Sequence, residues 1–196
     1  MNLIFLNGPS SSGKTSLARE LQDQLDSYYL YFGIDAFIEM MPTKSNCLDG
    51  TLDCDGFYWK DVELPNGETG KLVVSGEYGR KIEESFRIAI KALLESGNNL
   101  IVDNVVDGNR EMLVWKKLLS DHKCCYVGVY CSLEKLIERE TARGERVLGS
   151  AAEQYFRTHQ GVEYDISVDT GEESIESCAT QIISHITNTC RRTSTS

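Results

Sequence analysis

"GPSSSGKT" occupies residues 8–15 and decides the fold. It fits the pattern Gly-x-x-x-x-Gly-Lys-Ser/Thr, directly follows the apolar run "NLIFLN" (2–7) and opens the amphipathic pattern "KTSLARELQDQL" (14–25). Strand, glycine-bearing loop and helix in that order make the context a phosphate-binding loop requires. Gly8 and Gly13 let the backbone turn so that successive N–H groups, including those across Ser10, Ser11 and Ser12, point inward around phosphate oxygens. Pro9 within the loop is compatible with this if its φ is negative. The helix beginning near Lys14 adds its positive dipole end. Lys14 is expected at the β- and γ-phosphates of ATP, and the Thr15 hydroxyl on Mg²⁺.

Outward from this loop, apolar runs and helical patterns alternate. Strands are expected over 2–7, 28–34, 99–106, 124–131 and 164–169, with helices over 14–25, 36–41, 77–96, 110–121, 133–142, 149–158 and 172–189. Near-continuous apolar strands separated by helices predict a parallel sheet covered on both faces, with right-handed crossovers. The result is an α/β P-loop kinase fold with a five-stranded sheet. Residues 43–76 break the alternation. Within them "FYWKDVELPNGETGKLVVSG" reads as two strands around Pro65, Asn66 and Gly67, a β-hairpin near 57–75 placed on the substrate side of the cleft. Residues 1–190 read as a single domain, and the tail 191–196 as disordered.

The bulk properties narrow the function classes. The chain has 196 residues, 41% of them hydrophobic, and a formal net charge of −10. Such acidity disfavours a nucleic-acid partner, whose phosphates call for a basic face. No apolar run approaches the roughly 20 residues of a membrane-spanning helix, and the N-terminal stretch lacks a signal peptide's basic region, so a cytoplasmic location is expected. Seven cysteines, at 47, 54, 124, 125, 131, 178 and 190, show no CxxC spacing. Their odd number predicts reduced thiols rather than a disulfide framework. No NKxD element that would read guanine is present, and the size suits a small-molecule or nucleotide kinase.

Such a kinase needs an acid for the metal, a base and mobile arginines. Asp103 ends the apolar run "NLIVD", at the carboxyl edge of the sheet where ligands of open α/β folds bind. It is the candidate Mg²⁺-organising acid, or an ordinary strand-end aspartate. Arg139, Arg143 and Arg146 are spaced i, i+4, i+7, so a continuing helix places them on one face. They suit the equatorial phosphoryl oxygens of a transition state, with Gly144 and Gly149 as hinges of a lid over 139–150. The alternative is a solvated helix salt-bridged to Glu138, Glu140 and Glu145. Asp35, in "YYLYFGIDAFIEMMP", is either the cap of a helix beginning at Ala36 or a catalytic carboxylate. Phe37, Ile38, Met40 and Met41 after it are candidates for the apolar wall of an acceptor pocket, as are Phe57, Tyr58 and Trp59, or all are core.

Taken together, "FLNGPSSSGKTS", "FGIDAFIEMMP", "ERETARGERVLGSAAEQ" and "HQGVEYDISVDT" resemble the chloramphenicol 3-O-phosphotransferases, relatives of shikimate and nucleoside monophosphate kinases. The likeness runs over most of the chain in the same order. It implies an ATP-dependent kinase acting on a small-molecule hydroxyl, with chloramphenicol among the acceptors, Asp35 as the base and Arg139, Arg143 and Arg146 in the lid. It also implies that Asp169 and Thr170 lie near the adenine. The chain departs from the family pattern in having Pro9 for a glycine, Asn104 for a second acid beside Asp103, and a longer, more polar 43–76 segment. Another hydroxyl acceptor, such as a nucleotide sugar, and a regulatory module that binds ATP without transfer remain as alternatives.

Overall fold

The computed structural model describes residues 1–49, 54–144 and 147–193, the last four by backbone only. Its elements run β1 (Leu3–Asn7), α1 (Lys14–Gln24), β2 (Tyr29–Gly33), α2 (Ile34–Glu39), β3 (Phe57–Glu63), β4 (Thr69–Ser75), α3 (Glu77–Glu95), β5 (Asn99–Asn104), α4 (Gly108–Leu118), β6 (Cys124–Tyr130), α5 (Leu133–Arg143), α6 (Ser150–Arg157), β7 (Ile166–Asp169) and α7 (Ile175–Thr193). Five strands form one parallel sheet in the order β2-β5-β1-β6-β7. This is the expected α/β P-loop kinase architecture.

The burial pattern of β1 shows why both faces are covered. Successive side chains on a strand point to opposite faces. Ile4 and Leu6 enter one core with Leu17 and Leu21 of α1 and Ile182 of α7. Leu3 and Phe5 enter the other with Phe86 and Ile90 of α3 and Met112 and Trp115 of α4. The central strand is therefore apolar at every core position. Its register with β5 sets Leu6 beside Asp103, while β2 sets Gly33 beside the same residue. Three strand ends thus open on one cleft.

The hairpin forms as expected, β3 pairing antiparallel with β4 around a turn in which Gly67 has φ +82°. Four expectations need correction. The expected reduced thiols do not extend to Cys47 and Cys54, which form a disulfide with Cα atoms 5.9 Å apart. Counting cysteines cannot see the loop that joins them: Cys47 N–H donates to Phe57 O, Phe57 N–H to Asn46 Oδ1 and Gly56 N–H to Ser45 O, at 2.8–2.9 Å. Asp35 is not a helix cap, because α2 already begins at Ile34 behind Gly33. The helix carrying Arg139 and Arg143 does not continue to residue 146: α5 stops at Arg143, with Gly144 at φ +66°. Finally, α7 runs to Thr193, into the tail expected to be disordered. No described helix is long and apolar enough to cross a membrane.

A buried polar chain fixes the end of β1 where the phosphate loop leaves it. Asn7 Nδ2 donates to the Tyr164 hydroxyl at 2.7 Å, and Asn7 Oδ1 accepts from Val106 N–H at 2.9 Å. The Tyr164 hydroxyl in turn lies 2.7 Å from His159 Nδ1. Nδ1 accepts or donates in this bond according to the tautomer of the neutral ring. The His159 ring stacks on Tyr130 at 3.9 Å. Burial, with a smaller push from the Lys14 charge, lowers its pKa from 6.5 to about 4. A group whose folded pKa is depressed contributes stability that is complete above its unfolded pKa and lost as the pH falls through the folded one. Thermal unfolding should therefore show a loss of about 2 kcal/mol as the pH drops from 6.5 to below 4, after discounting for the ring's partial exposure. His159→Gln should flatten that slope, and an unchanged slope would remove His159 as its source.

Candidate functional site

The loop between β1 and α1 turns because of two local constraints. At Gly8 an added Cβ would lie 2.4 Å from Val129 O, so only glycine lets the backbone pass β6 this closely. Ser11 adopts φ +65° and Gly13 φ +86°. A non-glycine residue held in the left-handed region stores about 1–2 kcal/mol, the kind of strain that clusters at binding sites. Neighbours hold this shape: Ser10 N–H donates to Gln154 Oε1 at 2.6 Å, and the Thr170 hydroxyl donates to Ser12 O at 2.6 Å. Arg139 reaches Ser11 O at 3.4 Å and Thr170 O at 2.8 Å.

A carboxylate organises the front of the loop. Asp103 Oδ2 accepts from the Thr15 hydroxyl at 3.0 Å and from the Tyr31 hydroxyl at 3.1 Å, and its Oδ1 lies 3.7 Å from Lys14 Nζ. Lys14, itself buried, donates to Pro9 O at 2.9 Å. Burial, reinforced by the Asp103 charge, pushes the Tyr31 phenol up to about 12, so it remains a donor. The hydroxyl of Thr15 beside one carboxylate is a hard-oxygen pair. It suits Mg²⁺, which is commonly held by one or two carboxylates plus phosphates and water. Among the described residues no cluster of three or more His, Cys, Asp or Glu could hold a metal by itself.

The cleft in front of the loop encloses ≈ 670 Å³. Of the residues singled out from the sequence, Ser10, Ser11, Gly13, Lys14, Thr15, Asp35, Ile38, Asp103 and Arg143 line it. Gly8, Pro9 and Ser12 form the back of the loop, where Asp169 and Thr170 also pack; Asp169 Oδ1 accepts from Gly171 N–H at 2.8 Å. Four proposed wall residues, Phe37, Met40, Met41 and Tyr58, do not reach the lining. Phe37 turns into the core edge-on to Phe86 at 5.2 Å, Met41 is buried beside Asn46, and Met40 is 69% exposed. The proposed hairpin residues Phe57 and Trp59 do line the cleft, and the hairpin adds Leu72 and Val73, which were not foreseen. Arg146 lies outside the described residues.

Several site residues were not foreseen: Tyr31, Gln154, Glu140, Arg87 and Arg157. Arg87 had a signal, since it borders the apolar stripe of α3 formed by Phe86, Ile90 and Leu94. Glu140 had none. It is buried, and accepts from Gly149 N–H, the Ser150 hydroxyl and Ala151 N–H at 2.6–2.8 Å. It thereby caps the N-terminus of α6 from α5, rather than lying on a solvated face. Lys71 N–H of β4 donates to Gly149 O at 3.1 Å, so the lid and the hairpin share an anchor.

The chain belongs to the chloramphenicol phosphotransferase-like family, whose model matches residues 1–187. It is accordingly a phosphotransferase, an enzyme of the kinase type. Among similar proteins, "Putative O-phosphotransferase Rv2636" of Mycobacterium tuberculosis H37Rv is 31% identical, over 92% of this chain and 80% of the relative. The fold is shared with the Mycobacterium tuberculosis APS kinase CysC, at TM-score 0.63 and 14% identity over 94% of this chain and 96% of that one. It is also shared with a gluconokinase from Sinorhizobium meliloti 1021, at TM-score 0.60 and 16% identity over 97% and 94%.

Replacing Glu140 by alanine leaves two backbone N–H groups and a hydroxyl without their acceptor. The expected cost is roughly 3 kcal/mol, or about 9 °C in Tm. Glu140→Gln, which keeps an acceptor oxygen, should lose clearly less. Equal losses for the two variants in thermal unfolding would show that one remaining acceptor oxygen does not hold the junction and that both carboxylate oxygens are needed.

Proposed function

We propose that this phosphotransferase moves the γ-phosphoryl group of ATP to an alcohol group of a small molecule, with chloramphenicol as the leading acceptor and antibiotic inactivation as the corresponding role. The observation that carries the reading is the meeting of the phosphate loop, the Thr15–Asp103 pair and Asp35 in one cleft. Family membership supports it independently.

On this reading the loop N–H groups and Lys14 bind the phosphates, and Asp169 and Thr170 lie towards the adenine. Thr15 and Asp103 would hold Mg²⁺, which neutralises charge on the phosphate oxygens when bound. Asp35, in the first turn of α2, orients the acceptor hydroxyl and takes its proton. The acceptor oxygen bonds to the γ-phosphorus as the bond from that phosphorus to the β,γ-bridging oxygen breaks, and ADP leaves. In a largely dissociative transfer the proton moves late, so orientation is the larger contribution. Arg143, lining the cleft, and Arg146 stabilise the charge spread over the equatorial oxygens, while Arg139 holds the loop through Ser11 and Thr170.

A second reading keeps the machinery and changes the acceptor to another hydroxyl compound, such as a nucleotide sugar. Ser75 and Glu83 on the lining, which suit a hydroxyl-rich compound, support it. A Mg-ATP phosphorylation screen read by mass spectrometry, with chloramphenicol among the alcohols, separates the two. Chloramphenicol-stimulated ADP release supports the first, turnover with other alcohols only supports the second, and turnover with none overturns both.

Asp35→Asn should bind nucleotide normally and transfer about 10²–10⁴-fold more slowly; near-normal transfer would remove Asp35 as the base. Lys14→Ala should fold with an unchanged circular-dichroism spectrum and lose turnover. Full activity in that variant would exclude Lys14 from the phosphates.

A further inference from the structure

Tyr31 stands on β2, the edge strand of the sheet, and is held at both its tip and its ring. Its hydroxyl lies 3.1 Å from Asp103 Oδ2 and 3.4 Å from the Thr15 hydroxyl. The Arg19 guanidinium lies over its ring, 4.6 Å from the centroid. Thr15 and Arg19 are four residues apart on α1 and so share one face, which clamps the phenol at two points. Arg19 also donates to Gln22 Oε1 at 2.9 Å, and Gln22 Nε2 donates to Tyr29 O at 2.7 Å. One helix is thereby fastened along the edge strand that carries the phenol.

Gly33 makes the reach to Asp103 possible. Residues 31 and 33 point to the same face of the strand, and Gly33 stands opposite Asp103 in the register. A Cβ at Gly33 would lie 3.2 Å from the Tyr31 hydroxyl, a tight contact that would press on the phenol. With glycine there, the phenol passes the strand end and meets the carboxylate of the neighbouring strand.

Two hydroxyl donors on one oxygen decide how Asp103 is turned. Oδ2 accepts from Thr15 at 3.0 Å and from Tyr31, which uses both lone pairs in the carboxylate plane. Oδ1 is left for the phosphate side, 3.7 Å from Lys14 Nζ. The Thr15 hydroxyl places its one proton on Oδ2 and keeps its lone pairs. Thr15 is itself a proposed metal ligand, so Tyr31 is the donor that orients the pair from outside it.

We propose that Tyr31 is a positioning residue for the metal site: its hydroxyl fixes the Asp103 carboxylate, and Thr15 through it, before Mg²⁺ arrives. The proposal rests on the reading in which Thr15 and Asp103 hold Mg²⁺. A ligand already oriented does not have to be ordered on binding, and partners that orient ligands are worth about 10–100-fold in metal affinity. Loss of the donor would also make the carboxylate more basic, which acts in the opposite direction. The ordering is the larger effect.

Tyr31→Phe keeps the ring under Arg19 and removes only the donor. The β,γ-imido analogue of ATP is titrated into the full chain by calorimetry, in EDTA and at rising Mg²⁺. Tyr31→Phe should raise the Mg²⁺ concentration that gives half of the metal's effect about tenfold, and leave the affinity in EDTA unchanged. Asp103→Asn should raise it as well. Tyr31→Phe added to Asp103→Asn should change nothing further, since both act through one carboxylate. A phenol that served only the packing of β2 would lower Tm and leave the Mg²⁺ requirement where it was. That result beside an impaired Asp103→Asn, a lowered requirement in Tyr31→Phe, or a full further rise in the double variant would each overturn the proposal alone. A requirement that Asp103→Asn leaves unchanged would instead defeat the metal reading, and the proposal with it.

Discussion

The Asp103 carboxylate is the constraint on which the site depends. It stands at the carboxyl end of β5, between β1 and β2, and its two oxygens reach Thr15, Tyr31 and Lys14. Those partners belong to α1 and β2, so one side chain ties the phosphate loop to the strand that delivers Asp35. The parallel register makes this possible, since Leu6 and Gly33 both stand opposite Asp103. A one-residue slip of β5 would turn its side chains to the other face, leaving Thr15 and Tyr31 without this acceptor. Both faces of the sheet are apolar, so the slip is opposed by the polar contacts at the strand ends, among them the bond from Val106 N–H, just beyond β5, to Asn7 Oδ1 of β1.

A second constraint joins the two sides of the cleft. Glu140 binds the α5–α6 junction, the Gly149 carbonyl receives a bond from β4, and Gln154 of α6 receives the Ser10 N–H. Hairpin, lid and phosphate loop therefore meet at α6. The two glycines that bound residues 145–148 both have positive φ, at 66° for Gly144 and 97° for Gly149. Glu140 ties together the two helices that flank them.

Much of this was legible in the sequence because it rests on local pattern. The strand–loop–helix around residues 8–15, the alternation of apolar runs and the Asn66–Gly67 turn are short-range signals, and each specifies its element without help from distant residues. Asp103 was legible because a carboxylate ending an apolar strand has few other reasons to be there. What could not be read depends on residues far apart in the chain. Glu140 looks like any charge on an amphipathic helix until the end of α6 is placed over it. Phe37 looks like a pocket wall until Phe86 is found beside it. Cys47 and Cys54 look like two members of an odd set until Asn46 and Phe57 draw their loop together. Arg139 and Arg143 share a helix as expected, yet the helix stops before residue 146 because Gly144 takes a left-handed turn.

The net charge of −10 sets a last problem, since the proposed donor substrate is itself strongly anionic. At physiological ionic strength charges are screened over about 8 Å, so most surface acids do not act at the loop. What acts there is Lys14, the amino end of α1 and Arg139, against Asp103 and Asp35. Asp103 is already committed to two hydroxyls and a lysine, which leaves the local field attractive to phosphate. At the other end each arginine is neutralised by two acids, which leaves no field to attract an anion. The two ends of the cleft thus differ in charge: Lys14 and Arg139 stand at the phosphate loop, while at the other end each arginine is paired with two acids. That asymmetry follows from how the ion pairs are distributed rather than from the net charge of the chain.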